Sequence, residues 1–363
     1  MSVKIVKNQL FPIGLDLGSS AIKLAQLRNS GDVTELLAAG CVEVSRDLHR
    51  QNLTRRFESS GDAIRKLVKA NPFKGRQCIV SLPTEFAFVH HLRIPKLPAK
   101  EIPGSLQFEL QGKLPFSVED AVIRYVIAGD VFNDGEPRQE IIVVAASRDT
   151  IDSYIRMINR AGLEVVGMNI EACAVVECFA RLFRRDSDAA RTILYVDIGS
   201  ATTQVALSHG NKLVFARNLM IGGDQLDQAV ADGLKIPIEH ARLLRRDPQN
   251  AHQDSAAVGE LYHLMERPLG NLAEELIQCL HYYESVFRNQ AVERAIFVGG
   301  QAYDKRLCQS LAQRLNLPAQ VGDPLMRIKR IEGAGLPIGL DRREPQPDWA
   351  VAVGLSIGAN CAA

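Results

Sequence analysis

The sequence predicts an α/β protein of two lobes built on one repeated plan, with a small α+β insert in the first lobe. Two matched stretches carry this prediction. Residues 12–25 and 192–206 each read as an apolar strand, an Asp-x-Gly-Ser turn and a returning strand. Laid on one another, they match Asp16 with Asp197, Gly18 with Gly199, Ser19 with Ser200 and Ala25 with Ala206, and they set Lys23 opposite Gln204. Self-similarity of this kind marks an internal duplication. A chain of 363 residues is long enough to give each half its own core.

The residue types suggest the chemistry. A tight turn whose glycine admits close backbone approach can aim successive N–H groups at a phosphate, and a Ser hydroxyl adds a donor. The neighbouring Asp suits a hydrated Mg²⁺, which keeps most of its waters and needs only one or two carboxylates. One such turn alone reads equally as an ordinary hairpin. Two copies, followed downstream by Ala295-Ile296-Phe297-Val298-Gly299-Gly300, point to a nucleotide site with a third glycine turn at the nucleoside.

Composition narrows the function classes. Lys plus Arg is 43 against 42 Asp plus Glu, a net charge of +1, so no basic footprint for nucleic acid is expected. No apolar run approaches the roughly 20 residues of a membrane span, and Ile141 to Ala146 reads as a buried strand. Met1 to Leu10 lacks the apolar centre of a signal peptide. The seven cysteines, Cys41, Cys78, Cys173, Cys178, Cys279, Cys308 and Cys361, are scattered and form no Cys-x-x-Cys pair. They read as reduced, and a cytosolic protein is expected.

Taken in order, the first hairpin is followed by the turn Asn29-Ser30-Gly31-Asp32 and a strand over Val33 to Val44. Ser60 is expected to cap a helix carrying Ile64, Leu67 and Val68, ended by Asn71-Pro72. Gln77 to Leu82 reads as a strand. The insert is expected over 84–167, as strand Phe86 to Ile94, a helix with Leu106, Leu110 and Leu114, strand Ala121 to Ala128, the turn at Asn133-Asp134-Gly135 and strand Glu140 to Ala146. A helix with Ile151, Tyr154, Ile155 and Ile158 and a last strand Leu163 to Val166 would complete one sheet with a helical layer. The first lobe is thus divided into 1–83, the insert, and a connecting helix within 168–190 that runs from Asn169 to Arg185.

The second lobe, 191–345, repeats the plan. After its hairpin, strand Leu213 to Arg217 leads to Ile221-Gly222-Gly223-Asp224 and a helix with Leu226 and Val230. Gly222 and Gly223 could line a nucleotide or simply let strand and helix pack closely. Asp247 to Ser255 reads as a polar loop. Beyond Pro268 a helix with Leu269, Leu272, Leu276 and Leu280 is expected to close the adenine side of the cleft, and another with Leu307, Leu311 and Leu315 follows Gly300. A Pro- and Arg-rich segment, Ile331 to Pro347, leads to a final helix from Asp348 within 346–363.

Three phosphate elements in this order resemble the actin, sugar kinase and heat-shock chaperone superfamily, over nearly the whole chain. The resemblance implies an actin-like, ribonuclease H-like fold. In it Asp16 and Asp197 would hold Mg²⁺, and Gly18, Ser19, Ser20, Lys23, Gly199, Ser200 and Ala201 would bind ATP phosphates. Gly222, Gly223, Gly299 and Gly300 would flank the nucleotide. Asn169-Ile170-Glu171-Ala172 resembles the superfamily's connecting helix, which makes Glu171, with Asp197, the catalytic candidate that orients the attacking water. As a residue, Glu171 is equally a solvated Glu favoured by a helix N-terminus.

An insert at this place resembles the cell-division protein FtsA and the type IV pilus assembly protein PilM family. Ile13 to Lys23 is similar to the opening signature of the PilM family, and Lys96 to Ile102 and Lys113 to Asp120 resemble its insert. Gln107 to Gln111 is less acidic than that pattern, and the turn at Asp130 to Arg138 is short. FtsA-like proteins end in a membrane-binding amphipathic helix, and after the small-residue helix Ala350 to Ala359 no such basic tail is expected. The resemblance implies an ATP-binding cytoplasmic platform with slow or no turnover. It would dock on the cytoplasmic tail of an inner-membrane PilN-like partner, in a groove between insert and first lobe, and so sit beneath the membrane among other pilus assembly proteins. The alternatives are an FtsA-like filament former, a true ATPase or kinase of the superfamily, and a scaffold that has lost its nucleotide.

Overall fold

The structure is a computed structural model that describes residues 8–31, 33–45, 53–133, 135–183, 191–246, 256–288, 290–330 and 344–358. In the first lobe β1 (Asn8–Leu17), β2 (Ala21–Ser30) and β3 (Val33–Glu43) form an antiparallel meander. Helix α1 (Leu53–Ala70) then crosses back to β4 (Gln77–Ser81), which runs parallel to β1. The insert follows with β5 (Phe88–Pro95), α2 (Ile102–Glu109), β6 (Ala121–Asn133) and β7 (Glu136–Ser147). Next, α3 (Arg148–Arg160), β8 (Glu164–Asn169) and α4 (Glu171–Ala180) close the lobe.

The second lobe starts with β9 (Thr192–Ile198), β10 (Thr203–His209) and β11 (Lys212–Leu219). Three helices, α5 (Gly223–Leu234), α6 (Ile238–Arg246) and α7 (Ala256–Val286), lead to β12 (Arg294–Val298). Helix α8 (Lys305–Leu315) and β13 (Ala319–Val321) complete its sheet. Strand β14 (Lys329–Arg330) pairs with β3 in the other lobe, and α9 (Ala350–Ile357) returns to the core.

The duplication is visible in both order and register. The sheets run β14-β3-β2-β1-β4-β8 and β11-β10-β9-β12-β13, so apart from β14 each has one antiparallel meander extended by two parallel strands. Asp16 lies opposite Lys23 and Gly14 opposite Ala25; in the second lobe Asp197 lies opposite Gln204 and Tyr195 opposite Ala206. Strand β9 is apolar on both faces because both are covered. Ile193 and Tyr195 join the core around α4 and α9, while Leu194, Val196 and Ile198 join the core under α5, α7 and α8.

Several expectations are corrected. Helix α1 begins at Leu53, so Ser60 lies inside it and caps nothing. Phe57, whose ring centroid lies 5.8 Å from that of Tyr154 and 6.2 Å from that of Phe86, packs the turn before Ser60 and carries the helix through Ser59-Ser60-Gly61. Helix α7 begins at Ala256 and holds Pro268 in its interior, because Val258, Met265 and Leu269 keep its apolar stripe buried on both sides of the proline. Helix α6 buries only Ala241 and left no apolar stripe to read.

The insert is smaller than expected. Its sheet is β5-β7-β6, with the single helix α2 over a core of Leu92, Ile94, Ile102, Leu106, Ile141 and Val143. The helix with Tyr154 packs with Ile64 and Leu67 of α1 instead, and the strand expected at Leu163 runs beside β4, with Gln77 opposite Glu164. The expected span 84–167 therefore divides after Ser147. Helical spacing shows that one face is covered, not what covers it. Asn169 ends β8, and its Oδ1 accepts the Ile170 N–H at 2.9 Å, so the connecting helix starts at Glu171. The loop at 247–255, residues 331–343, and Asp32, Asp134, Arg185, Ala359 and Cys361 lie outside the described residues.

Candidate functional site

The two Asp-x-Gly-Ser turns face one another across the gap between the lobes. A cavity of about 1880 Å³ opens there, lined by Asp16, Gly18, Ser19, Ser20, Lys23, Glu171, Asp197, Gly199, Ser200, Gly299 and Gly300 among others. The turns touch: the Ala201 N–H donates to Ser19 Oγ at 3.2 Å. Ser200 Oγ donates to Asp224 Oδ1 at 2.5 Å, and Ser81 Oγ lies 3.5 Å from Asp16 Oδ1. Glu171, at the start of α4, accepts from Thr84 Oγ1 at 3.2 Å, and Gln204 Nε2 donates to the same hydroxyl.

Burial dominates the electrostatics. It pushes the Asp16 carboxyl up to about 6, with Lys23 pulling down and Asp348 pushing up. Asp197 rises to about 7, first through burial and then through the charge of Asp16. Glu171 is raised well above its ordinary value by burial, Asp16 and Asp197. Burial also opposes the charge on Lys23, but Asp348 and Asp16 outweigh it and hold its pKa above the ordinary value. Burial raises all three acids of the cleft, and the charge of Asp16 adds to the shifts of Asp197 and Glu171.

The glycines divide by role. Gly299 has φ 86°, and a Cβ there would stand 2.2 Å from Asp197 Oδ1, so only glycine lets β12 turn over this carboxylate. Its N–H donates to Pro347 O at 3.0 Å, whereas a Cβ on Gly300 would meet open space. Gly222 and Gly223 stand behind the second turn. A Cβ on Gly222 would lie 2.6 Å from Ser200 O, and the Gly223 N–H donates to Gly199 O at 2.9 Å. Gly222 and Gly223 thus pack closely on the second turn.

Some cleft residues had no signal in the sequence. Lys23 Nζ donates to Asp348 O at 2.7 Å and lies 2.9 Å from Asp348 Oδ2, a partner 325 positions away. Arg245, only 5% exposed, donates to Asp227, to Gly223 O at 3.1 Å and to Gln301 Oε1 at 2.8 Å, and so ties α6 to the turn after β12. The part of α7 before Pro268 lines the cleft through Val258, Leu261, Tyr262 and Met265. Leu269, Leu272, Leu276 and Leu280, whose stripe reads as core, lie in the second-lobe core. Gln204, which the repeat sets opposite Lys23, also lines the cleft.

Two sheets of like strand order, facing paired Asp-x-Gly-Ser turns across a cleft, define an actin-like two-lobe protein. The chain belongs to the family described as type IV pilus assembly protein PilM, whose sequence model matches residues 14–359. It superposes on a chain of a PilM–PilN type IV pilus biogenesis complex with TM-score 0.77 and 23% identity, covering 95% of this chain and 97% of that one. MreB5 of Spiroplasma citri bound to AMPPNP superposes with TM-score 0.53 and 11% identity, covering 96% of this chain and 95% of that one. Cell division protein FtsA of Bacillus subtilis is 21% identical over 122 residues, which are 34% of this chain and 27% of that protein's length.

Proposed function

We propose that this chain is a cytoplasmic platform of type IV pilus assembly that binds ATP with hydrated Mg²⁺ between its lobes and docks on the cytoplasmic tail of an inner-membrane PilN-like partner. The observation that carries the nucleotide half is the pair of buried Asp16 and half-buried Asp197, facing one cleft from equivalent turns and pushed up to about 6 and about 7. A hydrated divalent cation would neutralise them. Magnesium would supply charge neutralisation at the phosphates. Gly18, Ser19, Ser20, Gly199, Ser200 and Ala201 would donate to phosphate oxygens, which requires the Ala201–Ser19 bond to part, and Lys23 would add a positive charge. Gly299 and Gly300 would border the adenosine.

Charge-assisted hydrogen bonds are worth roughly 1.5 to 3 kcal/mol each and micromolar affinity needs about 8 kcal/mol, so a handful suffices. Family membership and the PilM–PilN complex among its structural neighbours support the docking half. Among the described residues no helix is long and apolar enough to cross a membrane, and attachment would come through the partner. Calorimetric titration with ATP, with and without Mg²⁺, tests the site. Asp16→Ala should weaken binding at least tenfold in a folded chain, and unchanged affinity would sink the assignment. Co-purification with the partner's cytoplasmic tail tests docking.

Slow hydrolysis is a second reading, favoured by Glu171 lining the cleft beside both Asp residues. Glu171 and Asp197 would position the attacking water. Turnover well below about 1 per second, abolished by Glu171→Gln, is expected; turnover unaffected by that change would remove Glu171 from the role.

A further inference from the structure

The segment leading into α9 places a carboxylate where phosphate is expected. Asp348 receives both lobes at once. From the first lobe, Lys23 Nζ stands 2.9 Å from its Oδ2; from the second, Tyr303 Oη donates to its Oδ1 at 2.7 Å. Tyr303 follows directly on the Gly299-Gly300 turn, and its hydroxyl also reaches Gln346 Oε1 at 3.2 Å. The Gly299 N–H donates to Pro347 O, so the two residues just before Asp348 are clamped to the nucleoside turn. Lys23 and Asp348 are largely enclosed, their side chains 12% and 19% exposed, and both line the cavity.

We infer that Asp348 is an internal stand-in for a phosphate group, which a bound nucleotide displaces from Lys23, so that Asp348 sets phosphate affinity by competing for that lysine. This rests on the nucleotide reading above. The chemistry is that of one anion exchanged for another: an ammonium buried beside a carboxylate is already neutralised, and a phosphate gains its charge only by taking the carboxylate's place. Because the competing carboxylate is tethered, its effective concentration is high and nucleotide affinity is lowered accordingly. Asp348 is therefore a positioning residue that acts through Lys23. Its removal should strengthen binding of phosphates, whereas removal of a direct ligand weakens it.

The discriminating experiment titrates wild type, Asp348→Asn, Lys23→Ala and the double variant with Mg-ATP, Mg-ADP and adenosine. Asp348→Asn keeps the backbone oxygen that also accepts from Lys23 Nζ, and Asp348→Ser serves as a second neutral variant. Both should bind ATP and ADP at least fivefold more tightly than wild type. Adenosine affinity should stay the same, and the gain should vanish in the Lys23→Ala background. Wild type that binds Mg-ATP while both Asp348 variants bind equally or more weakly overturns the inference and leaves the nucleotide site standing. An equal gain for adenosine, or one that persists without Lys23, overturns it too, because the effect would then be a loosened segment or bulk charge. No binding by wild type or by any Asp348 variant at millimolar nucleotide removes the nucleotide reading, and this inference with it.

Discussion

Gly354 of α9 lies against Ala174 of α4 so closely that a Cβ on Gly354 would stand 1.9 Å from the Ala174 carbonyl oxygen. On the opposite face of α9, a Cβ on Gly14 of β1 would stand 2.0 Å from the Ala352 carbonyl oxygen. The last helix is therefore wedged between the connecting helix and the strand that carries Asp16, with backbone touching backbone on both sides. Overpacking a core costs about 1 to 3 kcal/mol and sometimes more, and here the obstacle is backbone that cannot rotate away. Gly354→Ala should destabilise by at least the upper end of that range, read from the urea midpoint. Gly104→Ala, in α2 with open space around the glycine, should be neutral or stabilising by up to about 1 kcal/mol.

These contacts mark where the sequence was legible and where it was not. The paired turns, the match of Asp16 with Asp197 and the third glycine turn were readable, because each is local chemistry repeated at a fixed spacing. The wedge of α9 was not, since nothing near Gly354 names Ala174 as its neighbour. The same holds for Asp348, which meets Lys23 only after the chain has built both lobes. The placement of α3 was missed for a related reason: Ile151, Tyr154, Ile155 and Ile158 announce a buried face, but whether the insert or α1 covers it is a tertiary fact. Pro268 misled because a proline reads as a helix boundary, while packing on both sides outweighed its lost hydrogen bond.

The insert and the second lobe are joined by a buried charge. Glu140, fully buried in β7, accepts from Arg93 Nε at 3.0 Å and from Tyr282 Oη of α7 at 2.6 Å, and lies 3.1 Å from His91 Nδ1. Burial works against its charge, but the His91, Tyr282 and Arg93 contacts outweigh it and hold the carboxyl below its ordinary value. Tyr282→Phe removes one donor from a charged acceptor and should cost about 1.5 to 3 kcal/mol by chemical denaturation. Combined with Glu140→Gln, the second change should cost clearly less than it does alone, since the two share one bond.

Gly299 is the glycine on which the cleft depends. With φ 86° and Asp197 Oδ1 2.2 Å from where a Cβ would stand, Gly299→Ala must move either the turn or the carboxylate. The expected result is a folded chain with at least tenfold weaker Mg-ATP binding. Gly300→Ala, which meets nothing within 4 Å, should keep the fold intact and serves as the control for folding alone, because Gly300 also borders the cavity. Equal binding by Gly299→Ala and wild type would separate the Asp197 position from nucleotide affinity.

The acid pair makes stability depend on pH in a direction opposite to that of most carboxylates. In the unfolded chain Asp16 and Asp197 ionise near 3.8, whereas in the cleft they ionise at about 6 and about 7. Between those values the folded protein holds protons that the unfolded chain has already released. The contribution of this pair therefore favours the fold at the acid end and is lost as pH rises from 3.8 to about 7, after which it is flat. The thermal midpoint of wild type without nucleotide should consequently fall across pH 5 to 8 relative to that of Asp197→Asn, whose side chain cannot ionise. Mg²⁺ and ATP should flatten the wild-type curve, because a cation that binds the ionised pair removes the penalty. Parallel midpoints for the two proteins over this whole range would mean that the second carboxylate is not buried against the first, and the cation site would lose its physical basis.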